Sequence, residues 1–243
     1  MPIPKDLKNG IKEFTKQRYN ELKKQYGPIE VAKYFSNILN EIKNKFSSHV
    51  HFKNLEHPDQ SWRKILGDAL EVLFQLNIGE GIQKLGLLCA KPTRECLGER
   101  YDIILDKISV EIGKNKVQPD SDLVVYLLEP LEVIAILSVK KKFRERIAQV
   151  AYWTIKLRGK EYNIKNFLIT TDEDKTFSLE KKIKQKVKIR EDTKQEIQKA
   201  KAIAETDTNG TFVAAEFNID ETEKIKTYEK IFEELKRLKN GVK

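Results

Sequence analysis

The chain has little cysteine, with only Cys89 and Cys96 among 243 residues. Two thiols cannot build the disulfide framework of a small secreted domain, and the six residues between them match no usual zinc-binding spacing. We interpret both as small apolar side chains, which is how cysteines most often serve in a cytosolic protein.

Long apolar segments are also missing. No apolar run approaches the roughly 18–20 residues that a membrane span needs, and the polar start MPIPKDLKNG lacks the apolar centre of a signal peptide. We therefore expect a cytoplasmic protein that does not enter a membrane. With 40% hydrophobic residues, the chain has enough apolar material for one large domain or two small ones.

Several common catalytic motifs are absent as well. The sequence has no Gly-x-x-x-x-Gly-Lys phosphate loop, no Gly-x-Gly-x-x-Gly after a strand, no Gly-x-Ser-x-Gly turn and no His-Glu-x-x-His. These absences argue against nucleotide hydrolases, dinucleotide-dependent enzymes, serine hydrolases and zinc proteases. The net charge of +9 favours a polyanionic partner such as nucleic acid. A lysine-rich surface of thermophilic type is the alternative explanation.

The most informative stretch lies in the middle of the chain. The acidic turn Pro119-Asp120-Ser121-Asp122 leads directly into the apolar run Leu123–Leu128, and a second run, Val133–Leu137, ends in Ser138-Val139-Lys140. We expect two central strands, each apolar on both faces, joined by a turn at Glu129-Pro130. Acid at the start of one strand and lysine at the end of the next would bring a carboxylate and an ammonium group together.

These residues resemble those of type II restriction endonucleases of the PD-(D/E)xK superfamily. The resemblance is greatest to the branch that reads sites containing CC:GG, the EcoRII- and NgoMIV-like enzymes, in which the motif often ends in Ser-x-Lys, as Ser138-Val139-Lys140 does here. It implies an α/β (α+β) fold with a central mixed β-sheet flanked by helices, and Mg²⁺-dependent hydrolysis of double-stranded DNA that leaves 5′-phosphates. We expect an N-terminal helical region over residues 1–60 and a nuclease core with a C-terminal helical extension over 61–243, together forming one continuous domain.

Asp122 and Lys140 are the first candidates for the active site. Asp122 directly precedes the apolar strand and is the preferred metal ligand, whereas Asp120 completes the literal Pro-Asp dipeptide and remains the alternative. Mg²⁺ needs only one or two carboxylates because it keeps several waters. Lys140 is expected to orient the attacking water or to donate to the scissile phosphate, and the alternative is an ordinary lysine at the end of a strand.

The second metal ligand is less well defined by the sequence. Ser138 stands where simpler members of the superfamily have a carboxylate, and the glutamate that the resembling enzymes often carry 13 residues after the lysine is replaced here by Trp153. Glu71, beside the apolar stripe of a predicted helix, is the best candidate for this ligand. Glu132 is second, although it would lie at the wrong end of its strand.

A charged segment after Lys140 is predicted to contact DNA. Arginine can donate two hydrogen bonds to guanine, and glutamate can accept one from cytosine. The resemblance gives these roles to Arg144, Glu145 and Arg146, and we expect Lys141, Lys142 and Gln149 to be further DNA contacts. A short palindrome would be read by a two-fold homodimer, and a DNA methyltransferase of the same specificity would protect the host.

Elsewhere, the patterns predict a strand region over Tyr101–Ile112, a buried strand over Asn166–Thr170 and a final helix over residues 221–239. Asn209-Gly210 is the typical pair of a hairpin turn. Two other functions remain open at this stage: a structure-specific nuclease of the same fold, such as a junction resolvase, and a nucleic-acid-binding protein without catalysis. A binding protein would need neither Asp122 nor Lys140.

Overall fold

A mixed β-sheet forms the centre of the molecule. The computed structural model describes residues 3–53, 55–142, 147–158, 164–179 and 191–241, with only the backbone described for 191–197. Within these residues, six strands form one sheet in the order β1-β4-β5-β6-β7-β8, and β2 and β3 form a separate two-stranded ribbon. The strands are β1 Leu87–Ala90, β2 Val110–Ile112, β3 Asn115–Val117, β4 Leu123–Leu127, β5 Glu132–Lys140, β6 Lys165–Thr170, β7 Thr211–Val213 and β8 Ile225–Thr227.

Helices cover both faces of this sheet. They are α1 Lys5–Tyr26, α2 Phe35–Phe46, α3 Val50–Lys53, α4 Pro58–Ile82, α5 Arg94–Leu97, α6 Tyr101–Ile108, α7 Ile147–Arg158, α8 Glu191–Asp207 and α9 Lys230–Asn240. Short 3₁₀ segments cover Glu30–Tyr34, Gln83–Leu85 and Gly98–Arg100. The predicted α/β architecture with helices flanking a mixed sheet is therefore confirmed.

The strand directions bring particular chain positions to one edge of the sheet. β1, β4 and β5 pair antiparallel to their neighbours, whereas β5, β6, β7 and β8 pair in parallel. The start of β4 therefore lies beside the ends of β1 and β5, and the end of β6 follows on the same edge. This edge is where the two halves of the predicted motif meet.

Alternation along the strands divides the core into two layers. Leu123 and Leu137 face a cluster that also contains buried residues of α1, α2, α4 and α9. Val124 and Ile136 face the opposite side, where α6 and the end of α7 cover them, and Leu168 of β6 packs beneath α7 and α8. Because β4 and β5 are covered on both faces, both strands are apolar almost throughout, as the sequence indicated.

A buried hydrogen-bond network joins the N-terminal helices to the sheet layer. Asn77 of α4 is almost completely buried, and its amide donates to the carbonyl of Pro28 at 2.5 Å. The hydroxyl of Tyr228 donates to Asn77 Oδ1 at 2.8 Å, and Tyr19 donates to Glu80 at 2.9 Å. Buried polar groups of this kind hold elements in one register because each group is costly when left unpaired.

The predicted division between an N-terminal helical region over residues 1–60 and a nuclease core over residues 61–243 stays a prediction.

Two of the local predictions were wrong. Residues 101–108 form helix α6 instead of a strand, because Ile104, Leu105 and Ile108 are buried at helical spacing, a pattern that loose alternation can imitate over a short segment. Asn209-Gly210 is not a hairpin turn. It connects helix α8 to β7, which pairs in parallel with β6, and Asn209 Oδ1 accepts from the amide of Asn166 at 2.9 Å.

The remaining element boundaries need smaller adjustments. The strands predicted over Leu123–Leu128 and Val133–Val139 correspond to β4 and β5, and the turn between them contains a cis Glu129–Pro130 peptide. The last helix begins at Lys230 because Ile225–Thr227 first adds a strand beside β7. Among the described residues, no helix combines the length and apolar character of a membrane span.

Candidate active site

The two predicted motif residues lie in direct contact at the shared edge of the sheet. Asp122 comes just before β4, and its backbone amide donates to the carbonyl of Leu137 at 3.0 Å. This bond fixes Asp122 beside the end of β5. Asp122 Oδ2 accepts from Lys140 Nζ at 2.7 Å and from the amide of Val139 at 2.6 Å. The side chains of Asp122 and Lys140 are 13% and 10% exposed, so the pair is largely shielded from bulk water.

Asp120 and Ser138 have a different relationship. Ser138 is buried, and its hydroxyl donates to the backbone carbonyl of Asp120 at 3.2 Å. This bond ties the acidic turn to β5, while Asp120 itself is exposed. The structure therefore brings Asp122, rather than Asp120, to Lys140.

Glu71 approaches the same edge from helix α4. Leu70 and Leu73 on either side of it are buried against the sheet, which anchors this turn of the helix. Glu71 Oε2 accepts from Lys91 Nζ at 2.6 Å, with 21% and 23% of these two side chains exposed. Glu71 is thus held at the end of β1, next to the start of β4.

The electrostatics of Glu71 connect it to Asp122. Burial raises the pKa of Glu71, the hydrogen bond and charge of Lys91 lower it, and the negative charges of Asp122 and Asp68 raise it further. Two carboxylates that influence each other therefore lie near one edge of the sheet, and each is paired with one lysine. Glu132 does not share this position, because it begins β5 at the far end and pairs with Lys107 at 3.3 Å.

Among the described residues, each carboxylate of this pair has one oxygen that accepts a hydrogen bond and one oxygen that has no protein donor. Within the described residues, Asp122 accepts both of its hydrogen bonds at Oδ2, and Glu71 accepts its bond at Oε2. Asp122 Oδ1 and Glu71 Oε1 are therefore the oxygens that remain for a ligand. The same residues contain no group of three or more His, Cys, Asp or Glu side chains suited to hold a metal ion, so a metal here would rely on two carboxylates and water.

The segment after Lys140 is attached to the loop that follows β6. Lys141 pairs with Glu173 at 3.0 Å, and the carbonyl of Lys141 accepts from the Thr171 hydroxyl and the Glu173 amide at 3.3 and 3.2 Å. Asp172 in this loop is fully buried and accepts from the amides of Thr176 and Phe177 at 2.9 and 2.8 Å. The loop after β6 thereby fixes the exit direction of the chain from β5.

The predicted DNA-contacting residues are only partly described. Arg144, Glu145 and Arg146 lie outside the described residues. Lys142 is exposed just before them, and Gln149 is exposed on α7 just after them.

Sequence reasoning missed Lys91 and the loop at Asp172–Glu173. Lys91 follows the apolar residues of β1 directly, but the surrounding glycines and Pro92 favoured loops there. The loop carries acids within a highly charged stretch, where a buried aspartate has no distinct sequence signal.

Comparison with known proteins shows which family the chain belongs to. The family model described as BsaWI restriction endonuclease type 2 matches residues 100–236, more than half of the chain. MjaVIP of Methanocaldococcus jannaschii is 29% identical over 184 residues, which cover 73% of this chain and 76% of that protein. HpyAORF263P of Helicobacter pylori is 32% identical over 133 residues, covering 51% of this chain and 67% of that protein. Both are named as type II restriction enzymes.

A solved structure agrees in fold. The restriction endonuclease AgeI, solved as a complex with DNA, aligns with a TM-score of 0.52 over 91% of each chain at 11% sequence identity. At this identity the likeness concerns the fold alone. The family model covers more than half of the chain, so the chain belongs to the family described as BsaWI restriction endonuclease type 2 and is a type II restriction enzyme.

Proposed function

We propose that the protein is a Mg²⁺-dependent endonuclease that hydrolyses phosphodiester bonds in double-stranded DNA at a short palindromic site. One observation carries this proposal: Asp122 and Lys140 are in contact at the sheet edge, where Lys91 also holds Glu71 at the end of the neighbouring strand β1. Two carboxylates and two ammonium groups in a largely shielded position suit the cleavage of a phosphodiester, which must neutralise negative charge and align a water.

The donor set fits Mg²⁺. This ion prefers oxygen ligands, keeps several waters and is usually held by one or two carboxylates. Asp122 Oδ1 and Glu71 Oε1 would hold it, since the other oxygen of each group is engaged by the protein. When bound, Mg²⁺ would lower the pKa of a coordinated water and stabilise negative charge on the phosphate. Asp120, exposed on the neighbouring turn, is the alternative ligand.

The residues of the chain would divide the remaining tasks. Lys140, fixed through Asp122, would orient the attacking water or donate to the scissile phosphate. Ser138 would hold the acidic turn against β5 through its bond to Asp120. Attack by a water on phosphorus opposite the 3′-oxygen leaves a 5′-phosphate, which is the product we propose.

Base recognition is assigned to the segment that follows Lys140. Its support is the resemblance of Ser138-Val139-Lys140 and the following charged triplet to enzymes that read CC:GG, together with the attachment of Lys141 to the loop after β6. We propose that the site contains CC:GG and that a homodimer reads it in the cytoplasm, with a DNA methyltransferase of the same specificity as functional partner. The proposed contacts are Arg144, Glu145, Arg146, Lys141, Lys142 and Gln149.

The test is digestion of a long DNA of known sequence, with and without Mg²⁺. Discrete Mg²⁺-dependent fragments are expected, and mapping of their ends gives the site and the terminal phosphate. Asp122→Asn and Glu71→Gln should each abolish cleavage, whereas Asp120→Asn, the matched control on the same turn, should retain it. Uncut DNA from folded protein would contradict the proposal, and full activity of Glu71→Gln would remove Glu71 from the site. Loss of cleavage in Asp120→Asn alone would make Asp120 the ligand.

A further inference from the structure

Lys91 lies at the candidate site although none of the predicted roles includes it. It is the residue directly after β1, and the antiparallel pairing of Ala90 with Val124 brings it level with the start of β4. From there its ammonium group reaches Glu71 on helix α4 at 2.6 Å. A lysine at the end of one strand thus connects the helix that carries one carboxylate to the edge that carries the other.

The two carboxylates differ in how they are held. Asp122 has a short side chain, and its Oδ2 is fixed twice, by the backbone amide of Val139 and by Lys140. In the described part of the chain, Lys91 is the one donor to the carboxylate of Glu71. Glutamate has an additional rotatable bond, so an untethered Glu71 would lose more conformational entropy when it is ordered by a ligand.

We propose that Lys91 is a positioning residue of the nuclease: by engaging Oε2, it holds the Glu71 carboxylate in one orientation and leaves Oε1 available before the metal binds. This inference rests on the proposed role of Glu71 as a metal ligand. Groups that orient a ligand from behind contribute strongly, and their removal typically lowers metal affinity or activity by about 10–100-fold. The position of Lys91 also keeps two like charges near one another in the protein without metal.

The direction in which metal affinity changes when Lys91 is removed distinguishes positioning from simple charge balance. If Lys91 only neutralised charge, its removal would take a cation away from the site, and a divalent metal would bind more tightly. If Lys91 positions Glu71, its removal weakens metal binding in spite of the more negative potential. The two roles therefore predict opposite changes in one measured dissociation constant.

The experiment is calorimetric titration of the full chain with Mn²⁺ in the absence of DNA. Lys91→Met is expected to raise the dissociation constant by about 10-fold or more, and Lys91→Arg, which keeps a donor and the charge, should restore most of the loss. Lys84→Met is the matched control, because Lys84 is an exposed lysine that precedes β1. The Mn²⁺ affinity of this variant should equal that of the parent. Thermal unfolding without metal verifies that each variant is folded.

A second measurement separates positioning from a general loss of structure. With DNA and saturating Mg²⁺, Lys91→Met should lower kcat while KM for DNA stays the same. Binding of Mn²⁺ by Lys91→Met as tight as in the parent, or tighter, would overturn the inference.

Glu71→Gln, titrated in parallel, shows which idea has failed. Parent-like Mn²⁺ affinity in this variant would remove Glu71 from the metal site and with it the basis of the inference. Weak binding by Glu71→Gln together with parent-like binding by Lys91→Met would leave the proposed function intact and reject positioning alone.

Discussion

Replacement of Lys140 by methionine should make the stability of the protein dependent on Mg²⁺. The substitution keeps the apolar part of the side chain and removes the ammonium group that contacts Asp122 at 2.7 Å. Without metal, Asp122 is then a carboxylate with 13% of its side chain exposed and no counter-charge. With Mg²⁺ bound, the ion supplies the missing positive charge.

The expected magnitude follows from the surroundings of Asp122. Removing one partner of a fully buried ion pair costs about 3–5 kcal/mol. Asp122 keeps the hydrogen bond from the Val139 amide and some contact with water, so we expect a loss of about 2–3 kcal/mol in the free energy of unfolding in chelator. A ligand at 100 times its dissociation constant stabilises the native state by about 2.7 kcal/mol. At this saturation, Mg²⁺ should bring the stability of the variant to within about 1 kcal/mol of that of the parent in chelator.

Urea unfolding in chelator and in saturating Mg²⁺, without DNA, measures this difference. The variant should bind Mg²⁺ and yet fail to cut DNA, since Lys140 would be absent from the reaction. Lys142→Met, an exposed neighbour, should change the stability by no more than about 0.5 kcal/mol under either condition. If Mg²⁺ gave Lys140→Met no gain in its free energy of unfolding over the value in chelator, Asp122 would not hold the metal.

Two further predictions concern stability. Gly79→Ala in α4 should stabilise the protein by about 0.5–1 kcal/mol, because nothing lies within 4 Å of the added carbon. Gly81→Ala should destabilise it by about 1–2 kcal/mol, because its methyl group would overlap the ring of Phe232. Urea midpoints that both lie above, or both below, that of the parent would contradict this pair of predictions. Burial raises the pKa of Asp172 to about 7 in the folded state, and Asp174 adds to the effect. The pKa of an aspartate in the unfolded chain is about 3.9. Between these two pH values, mainly the folded state carries the proton on Asp172. The free energy of unfolding of the parent, measured relative to that of Asp172→Asn, should therefore increase by about 2–3 kcal/mol as the pH falls from about 8 to about 5. Parallel pH profiles of the two free energies would refute this prediction.

The parts of the fold that the sequence predicted well are those where local pattern and burial agree. β4 and β5 are covered on both faces, so almost every residue is apolar and the strands are evident. The segment over Tyr101–Ile108 is short and amphipathic, and only its packing beneath the sheet decides that it is a helix. The pair Asn209-Gly210 is typical of hairpin turns, but here it connects helix α8 to strand β7. Gly210 lies against the rings of Phe167 and Phe212, so glycine is favoured by close approach rather than by a reversed turn.

The candidate site was predictable to the extent that its residues are close in sequence or follow strand ends. Asp122 and Lys140 are 18 positions apart on neighbouring strands, and the alternation of apolar runs is enough to bring them together. The order of β1 in the sheet is a tertiary fact, and Lys91 reaches the site only because β1 pairs with β4. No local pattern carries that information.

The two lysines explain how the proposed metal site can fold without a cation. Burial raises the pKa of Glu71, and the negative charge of Asp122 adds to this effect. Each of the two carboxylates is paired with one lysine through one oxygen. The consequences of removing each lysine should differ because the tethers differ. Asp122 stays fixed by a backbone amide when Lys140 is lost, so metal binding should persist. Glu71 has no such second tether among the described residues, and metal binding should weaken when Lys91 is lost. Opposite responses of one metal site to the loss of two similar cations would be difficult to explain by charge alone.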